Sequence, residues 1–191
     1  MISTHKQTIV DRMEGTNNGA EWYALRILHN KRTAVCAIAD KGEVEHYTPT
    51  RLTERVVAGH TIRTERPLLG SLLFVRCTTD YIDHLRRLSN DNIRPYCEPG
   101  TSKPKAIPEE QMEAFRFVVR TACREIELLP TDIALGERVR ITDGPFRGVE
   151  GHIHRIHGTK RLVVAIDNVA VVATTYIPRQ YIEKITPARE S

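Results

Sequence analysis

The chain has 191 residues, enough for one large domain or two small ones, and its 40% hydrophobic and 27% charged content argues against wholesale disorder. A formal charge of +4, from 28 basic and 24 acidic residues, permits nucleic acid as a partner without demanding it. No apolar run approaches the roughly 18 residues of a membrane helix, and MISTHKQTIVDRMEG lacks the apolar centre of a signal peptide. A cytoplasmic protein with no membrane partner is expected.

Residues 1–20 are polar, end in EGTNNGA, and read as a mobile N-terminal tail. Order is expected from Glu21, where Trp22-Tyr23-Ala24-Leu25-Arg26-Ile27-Leu28 has the aromatic and aliphatic content of a strand. Asn30 can cap a helix carrying Val35 and Ile38, and Gly42 can stop it. Strands are expected at Val44 to Tyr47 and Leu52 to Val57. The stretch Val56-Val57-Ala58-Gly59-His60-Thr61-Ile62 reads as a hairpin with Gly59 in the turn. Charges alternate along its arms, at Glu54, Arg55, Arg63, Glu65 and Arg66, as on an exposed ribbon. Ser71-Leu72-Leu73-Phe74-Val75 is apolar on both faces and reads as a central strand.

Two more helices follow. Asp80 precedes Tyr81, Ile82, Leu85 and Leu88, one helical face. Pro108, Glu109 and Glu110 suit a first turn, since proline has no amide to waste and acids favour the positive dipole end. Met112, Phe115, Val119 and Ala122 continue that stripe, with a short strand at Ile93 to Cys97 between the two helices. The sum is α+β: an α/β sandwich over 21–123, with helices on a mainly antiparallel sheet.

From 124 to 134 the pattern lapses, with Pro130 and Asp132 inside, and a linker is expected. Over 135–187 only short strands and tight turns remain, the signature of a small SH3-like β-barrel, with 188–191 as a tail. Its central feature is GERVRITDGPFRGVEGHIHRIHG, Gly136 to Gly158. Asp143 can accept from amides ahead of it, Gly144 tolerates positive φ, and Pro145 fixes φ near −65°. Phe146 can then plug the barrel end or face a partner. Gly148 and Gly151 remove side chains where the barrel bends or a strand comes close.

The residues point to no catalytic chemistry. Cys36, Cys77, Cys97 and Cys123 are isolated, without the close pairs of zinc sites, and read as reduced thiols. His152 and His154 share one face of a strand, with His157 nearby, without forming a ligand set. Neither G-x-S-x-G, a Walker loop, a dinucleotide fingerprint nor H-E-x-x-H occurs. No enzyme, cofactor or metal is expected.

The turn Asp143-Gly144-Pro145-Phe146, preceded by G-E-x-V-x-I and followed by F-x-G-x-x-G, closely resembles the KOW motif. Trp22-Tyr23-Ala24-Leu25, the charged hairpin, Arg66-Pro67-Leu68-Leu69-Gly70-Ser71-Leu72-Leu73-Phe74-Val75-Arg76, Ile93-Arg94 and the helix opening Ile107-Pro108-Glu109-Glu110-Gln111-Met112 resemble the NusG N-terminal (NGN) domain. The resemblance spans roughly 21–187. Within the family it is nearest to the UpxY-type antiterminators of capsular polysaccharide operons, through E-W-Y-A-L-R, L-x-F-V-R, G-V-E-G-x-x-x-R-[IV]-x-G, V-A-x-V-A-T-x-[YF]-I-P and I-E-K-I.

The resemblance implies a monomeric factor that rides on RNA polymerase and opposes pausing. Its N-terminal domain would dock on the clamp helices of the largest subunit. Pro67, Leu68, Leu69, Gly70 and Ser71 match the family's docking segment, with Leu68 and Ser71 where aromatics are usual. Arg51, Arg55, Arg63 and Arg66 would approach nontemplate DNA, upstream duplex or nascent RNA, since arginine suits phosphates and exposed bases; a solvated ribbon explains them equally well. The KOW domain of general NusG recruits Rho or a ribosomal protein through apolar residues beside its turn. Asp143, Gly144, Pro145, Phe146, Gly148, Val149 and Gly151 carry that turn. Val149 replaces the usual aromatic, and the loop Ile166-Asp167-Asn168-Val169-Ala170 lacks the family's aromatic and arginine, which weakens Rho recruitment. A KOW protein that binds RNA or the ribosome is the alternative, disfavoured because Glu137, Asp143, Glu150 and Asp167 dilute the barrel's basic charge.

Overall fold

The computed structural model describes residues 19–156, 158–167 and 169–185. The expected tails, all but Gly19 and Ala20, lie outside the described residues, as does His157. The expected α+β class is found: helices and antiparallel sheets, followed by a part built from strands. The chain divides into two compact units. One holds the described residues up to Pro49 together with Leu69–Glu109; the other holds Thr50–Leu68 and the residues from Glu110 onward.

In the first unit β1 (Glu21–Ile27) is the central strand. It pairs antiparallel with β5 (Leu72–Cys77), in register from Glu21 opposite Cys77 to Arg26 opposite Leu72. On its other side β1 meets β6 (Ile93–Pro95) through Leu25 to Ile27 and β7 (Ala106–Ile107) through Trp22 and Tyr23. A short β2 (His46–Tyr47) flanks β5. Both inner strands are buried on both faces, which is why their sequences run apolar without alternation. One face carries Tyr23, Leu25, Ile27, Leu73, Val75 and Cys77. These pack with Val35 and Ala39 of α1 (Arg32–Lys41) and Ile82 and Leu85 of α2 (Thr79–Leu88). Each valine, leucine or isoleucine among them contributes about 1.5–3 kcal/mol by leaving water.

The helix ends follow local rules in part. Thr78 caps α2, its hydroxyl accepting from the Tyr81 amide at 3.4 Å. Gly42 ends α1 at an ordinary φ of −89°, and what favours glycine there is contact, since a Cβ would lie 2.1 Å from the Tyr81 hydroxyl. Asn30, expected as the cap of α1, instead sits in the left-handed region at φ +53°. Lys31 takes the N-cap position and makes no side-chain cap bond.

In the second unit β3 (Thr50–Val57) and β4 (His60–Pro67) form a two-stranded ribbon. Ala58 and Gly59 turn it with φ of +51° and +81°, the paired positive values of a tight hairpin turn. Helix α3 (Glu109–Thr121) buries Met112, Phe115, Val118 and Val119. The remaining strands are β8 (Glu127–Leu129), β9 (Glu137–Ile141), β10 (Glu150–Ile156), β11 (Thr159–Ile166), β12 (Ala170–Tyr176) and β13 (Ile182–Lys184). They form one antiparallel sheet in the order β13-β9-β10-β11-β12-β8. β8 corrects the expected linker: three of its residues, inside 124–134, pair with Val171, Val172 and Ala173 of β12. Leu129 packs beside a cluster of Ile156, Val163, Val171 and Ala173.

Candidate functional site

The segment Pro67 to Ser71 leads from β4 into β5 and is held by one side chain. Arg32, in the first turn of α1, donates from Nη2 to the carbonyl oxygens of Leu69, at 2.9 Å, and of Gly70. From Nη1 it donates to the Leu72 carbonyl at 3.0 Å and to the Thr48 hydroxyl at 3.2 Å. The Ser71 carbonyl accepts from the Ile27 amide at 2.6 Å, and the Leu72 amide closes the turn onto the Leu69 carbonyl at 3.3 Å. All four carbonyls from Leu69 to Leu72 are thereby engaged, so the turn is fixed rather than solvated. Burial pulls the Arg32 guanidinium below its ordinary pKa, yet arginine stays charged.

Of the residues expected to dock, Leu68 is buried at 9% exposure and offers no open surface. Leu69 and Ser71 are half-buried, while Pro67 and Gly70 are exposed. A Cβ built on Gly70 meets nothing within 4 Å. Arg32 escaped the sequence reading because nothing in its neighbourhood signals partners 37 to 40 positions away.

The four hairpin arginines divide between two faces. Residues directly opposite across an antiparallel pair share a face, and successive residues alternate. The register pairs Arg51 with Arg66, Thr53 with Thr64, Arg55 with Ile62, and Val57 with His60. The other face carries Thr50 with Pro67, Leu52 with Glu65, Glu54 with Arg63, and Val56 with Thr61. Both carboxylates thus lie on the second face, where Arg63 donates to Glu54 at 2.9 Å. Arg124 approaches the same Glu54 oxygen at 3.9 Å, and the Thr50 hydroxyl bonds Glu65 at 3.4 Å. Arg63 therefore differs from the other three: its charge is already matched. The alternation was available in the sequence once the Ala58-Gly59 turn set the register.

The glycine turn between β9 and β10 is closed by its own backbone. The Gly148 amide donates to the Ile141 carbonyl at 2.7 Å, and the Arg147 amide to the Gly144 carbonyl at 3.1 Å. Asp143 accepts from the Gly144 amide at 2.8 Å. Gly144 and Gly148 have φ of +81° and +87°. At Gly151 the constraint is space, since a Cβ would lie 2.6 Å from the Val163 carbonyl oxygen. Phe146 is 4% exposed and meets Phe117 of α3 edge to face, centroids 6.5 Å apart at 86°. Val149 is buried as well.

Charges on this sheet are matched in place. Glu150 accepts from Arg140 at 2.6 Å and Arg138 at 3.1 Å, and the bond from Arg140 chiefly holds its carboxyl below the usual range. Lys184 bonds Glu137 at 2.7 Å and lowers that carboxyl likewise. Arg161 reaches Glu127 of β8 at 2.6 Å. Among the described residues no three His, Cys, Asp or Glu side chains gather in a way that could hold a metal, and no helix is long and apolar enough to cross a membrane.

A family model described as "Transcription termination factor nusG" matches residues 20–116, just over half of the chain. The match covers both inner strands of the first unit, the hairpin, the Pro67 to Ser71 turn and most of α3. No curated protein matches the chain.

Proposed function

The chain belongs to the NusG family of transcription factors, and from that premise we propose that it binds RNA polymerase during elongation and suppresses pausing and termination. The observation that carries the reading is the family match over the segment Arg32 locks. Leu69, Gly70 and Ser71, presented on a fixed turn with Pro67 before it, are the residues proposed to meet the clamp helices of the largest subunit. A rigid apolar edge binds with less ordering cost than a loop that must first be organised. No catalysis is required: binding shifts the polymerase between paused and active states in proportion to its differential affinity for them.

The finer assignments belong to the same proposal. The strands from Glu137 to Lys184 are read as a KOW domain, the protein as a cytoplasmic monomer, and its specialisation as UpxY-type service to a capsule or exopolysaccharide operon. The hairpin is read as the part that reaches nucleic acid. The burial of Phe146 against Phe117 supports a factor that holds polymerase without calling Rho, because that apolar residue is already covered.

Capture of RNA polymerase on immobilised protein tests the reading. Gly70→Asp is the informative variant, since Gly70 has open space and no positive φ. Wild type should retain polymerase and the variant should lose it with its melting temperature unchanged. Failure of wild type to retain a polymerase elongation complex overturns the reading and leaves RNA or ribosome binding as the account to pursue.

A further inference from the structure

We propose that free copies of this chain pair with each other through the outer edge of β4, antiparallel and centred on Thr64, joining two ribbons into one continuous sheet. The inference goes beyond the proposed function, and the monomer meant there is the form that meets polymerase. Its basis is the backbone. The turn at Ala58-Gly59 makes Val57 and His60 a pair that exchanges both hydrogen bonds, and such pairs recur at Arg55 with Ile62, Thr53 with Thr64 and Arg51 with Arg66. The residues between them therefore direct their amides and carbonyls out of the ribbon. On β3 this is seen directly, where the Leu52 amide donates to the Cys123 carbonyl at 3.0 Å. On β4 the outward groups belong to Thr61, Arg63, Glu65 and Pro67, and among the described residues none of them meets a backbone partner. All 8 residues of β4 are exposed. An exposed edge of this length is open to another strand.

The side chains along that edge name the occupant as a second copy. Two-fold pairing of identical antiparallel strands keeps every residue on its own face, so one residue must stand opposite itself. Centred on Thr64, the pairing sets Arg63 of each copy opposite Glu65 of the other, where they exchange both backbone bonds and form an ion pair. Arg63 bonds Glu54 through Nε at 2.9 Å, which leaves its other donors for a second carboxylate. Thr64 meets Thr64, a favourable cross-strand pair, and Ile62, 41% exposed, meets the aliphatic stem of Arg66. The Thr61 amide donates to the carbonyl of Pro67, which has no amide and falls at the end of the ladder. Moving the centre by one residue sets Arg63 against Arg63 or Glu65 against Glu65, and like charges directly opposite repel. β3 has no such solution. Centred on Thr53, Glu54 or Arg55 it always sets like charges opposite, and the Cys123 carbonyl already holds its Leu52 amide.

The test uses the full chain in analytical ultracentrifugation and light scattering. Wild type should be a dimer in equilibrium with monomer. Arg63→Glu alone and Glu65→Arg alone should each raise the dissociation constant by about tenfold or more, because both cross-strand ion pairs become repulsive. Mixing the two variants should restore pairing, since each then presents the charges the other needs. Thr64→Cys should form an intermolecular disulfide under mild oxidation, since Cα atoms in a pair of that kind lie about 4.5 Å apart. Val56→Cys, at a position 72% exposed but away from the β4 edge, should cross-link far more slowly, with the wild-type cysteines setting the background. A wild type that stays monomeric up to roughly 1 mM overturns the inference. So do single variants that pair as wild type does, a mixture no better than its components, or equal cross-linking at Val56→Cys and Thr64→Cys. Should the charge reversals disturb folding, the cysteine comparison still decides.

Discussion

Arg32 and Leu69 are joined side chain to backbone, the guanidinium Nη2 donating to the carbonyl oxygen at 2.9 Å while the same group also reaches Gly70 and Leu72. One planar fork thus gathers three carbonyls, which a lysine cannot do. Arg32→Met keeps the aliphatic stem and removes the fork. It should cost about 2 kcal/mol in urea denaturation, since it strips charged hydrogen bonds from partly buried carbonyls. Arg32→Lys should recover only part of that loss. Both should weaken polymerase capture more than their stability loss explains, because the docking turn loses its single geometry.

The two glycines after the β9–β10 turn should fail for different reasons. Gly148→Ala meets no atom but must hold φ near +87°, which costs an L-residue about 1–2 kcal/mol. Gly151→Ala forces a Cβ to within 2.6 Å of the Val163 carbonyl, so the β10–β11 pairing must spread, and about 1–3 kcal/mol is expected. Thermal unfolding distinguishes the cases: the loss should be larger for Gly151→Ala, while Gly148→Asn should be tolerated nearly as well as glycine.

Phe117 and Phe146 should prove coupled. A double-mutant cycle with Phe117→Ala and Phe146→Ala should give an interaction of about 0.5–1.5 kcal/mol beyond the separate losses of buried area. Strict additivity in chemical denaturation would show that the edge-to-face contact contributes nothing specific.

Alkaline pH should destabilise the first unit. Burial pushes the Cys77 thiol from 9.0 up to about 12, and burial with the hydrogen bond to Glu21 pushes Tyr23 from 10.0 to about 12. The folded state thus keeps both protons while the unfolded chain releases them. The stabilisation is complete below pH 9.0 and is lost as pH rises towards about 12. Urea midpoints should fall as pH rises from 9.0 towards about 12, and fall less in Cys77→Ala. On the acid side, burial and the charge of Arg138 hold His152 below its usual value, so protonation below 6.5 opposes folding there.

Much of this was legible from residue order. β1 and β5 announce themselves because strands buried on both faces need unbroken apolar runs, and Ala58-Gly59 and Asp143-Gly144-Pro145 because reversals need special φ. The register of the hairpin, and with it the different standing of Arg63, follows from the first of those turns by simple alternation. Other features left no local trace. Glu127-Leu128-Leu129 is too short to show a period, and only β12 beside it makes it a strand. Arg32 looks like any surface arginine in a helix's first turn. Phe146 carried the mark of an apolar group at a turn, but whether it met solvent or Phe117 depended on a residue 29 positions earlier, which spacing does not reveal.

β8 has a practical consequence for anyone dividing the chain. Along β12, Ala170 to Thr174 are all buried, and among the described residues it is Glu127 to Leu129 that pair with its outer side, at Val171 to Ala173. A fragment beginning at residue 135, where the composition suggests a clean start, would leave an apolar strand with an uncovered row of amides and carbonyls. Such an edge is a template for pairing with another copy. Begun before Glu127, the fragment carries its own protection against self-association; begun after Leu129, it should precipitate or form aggregates rich in β-structure.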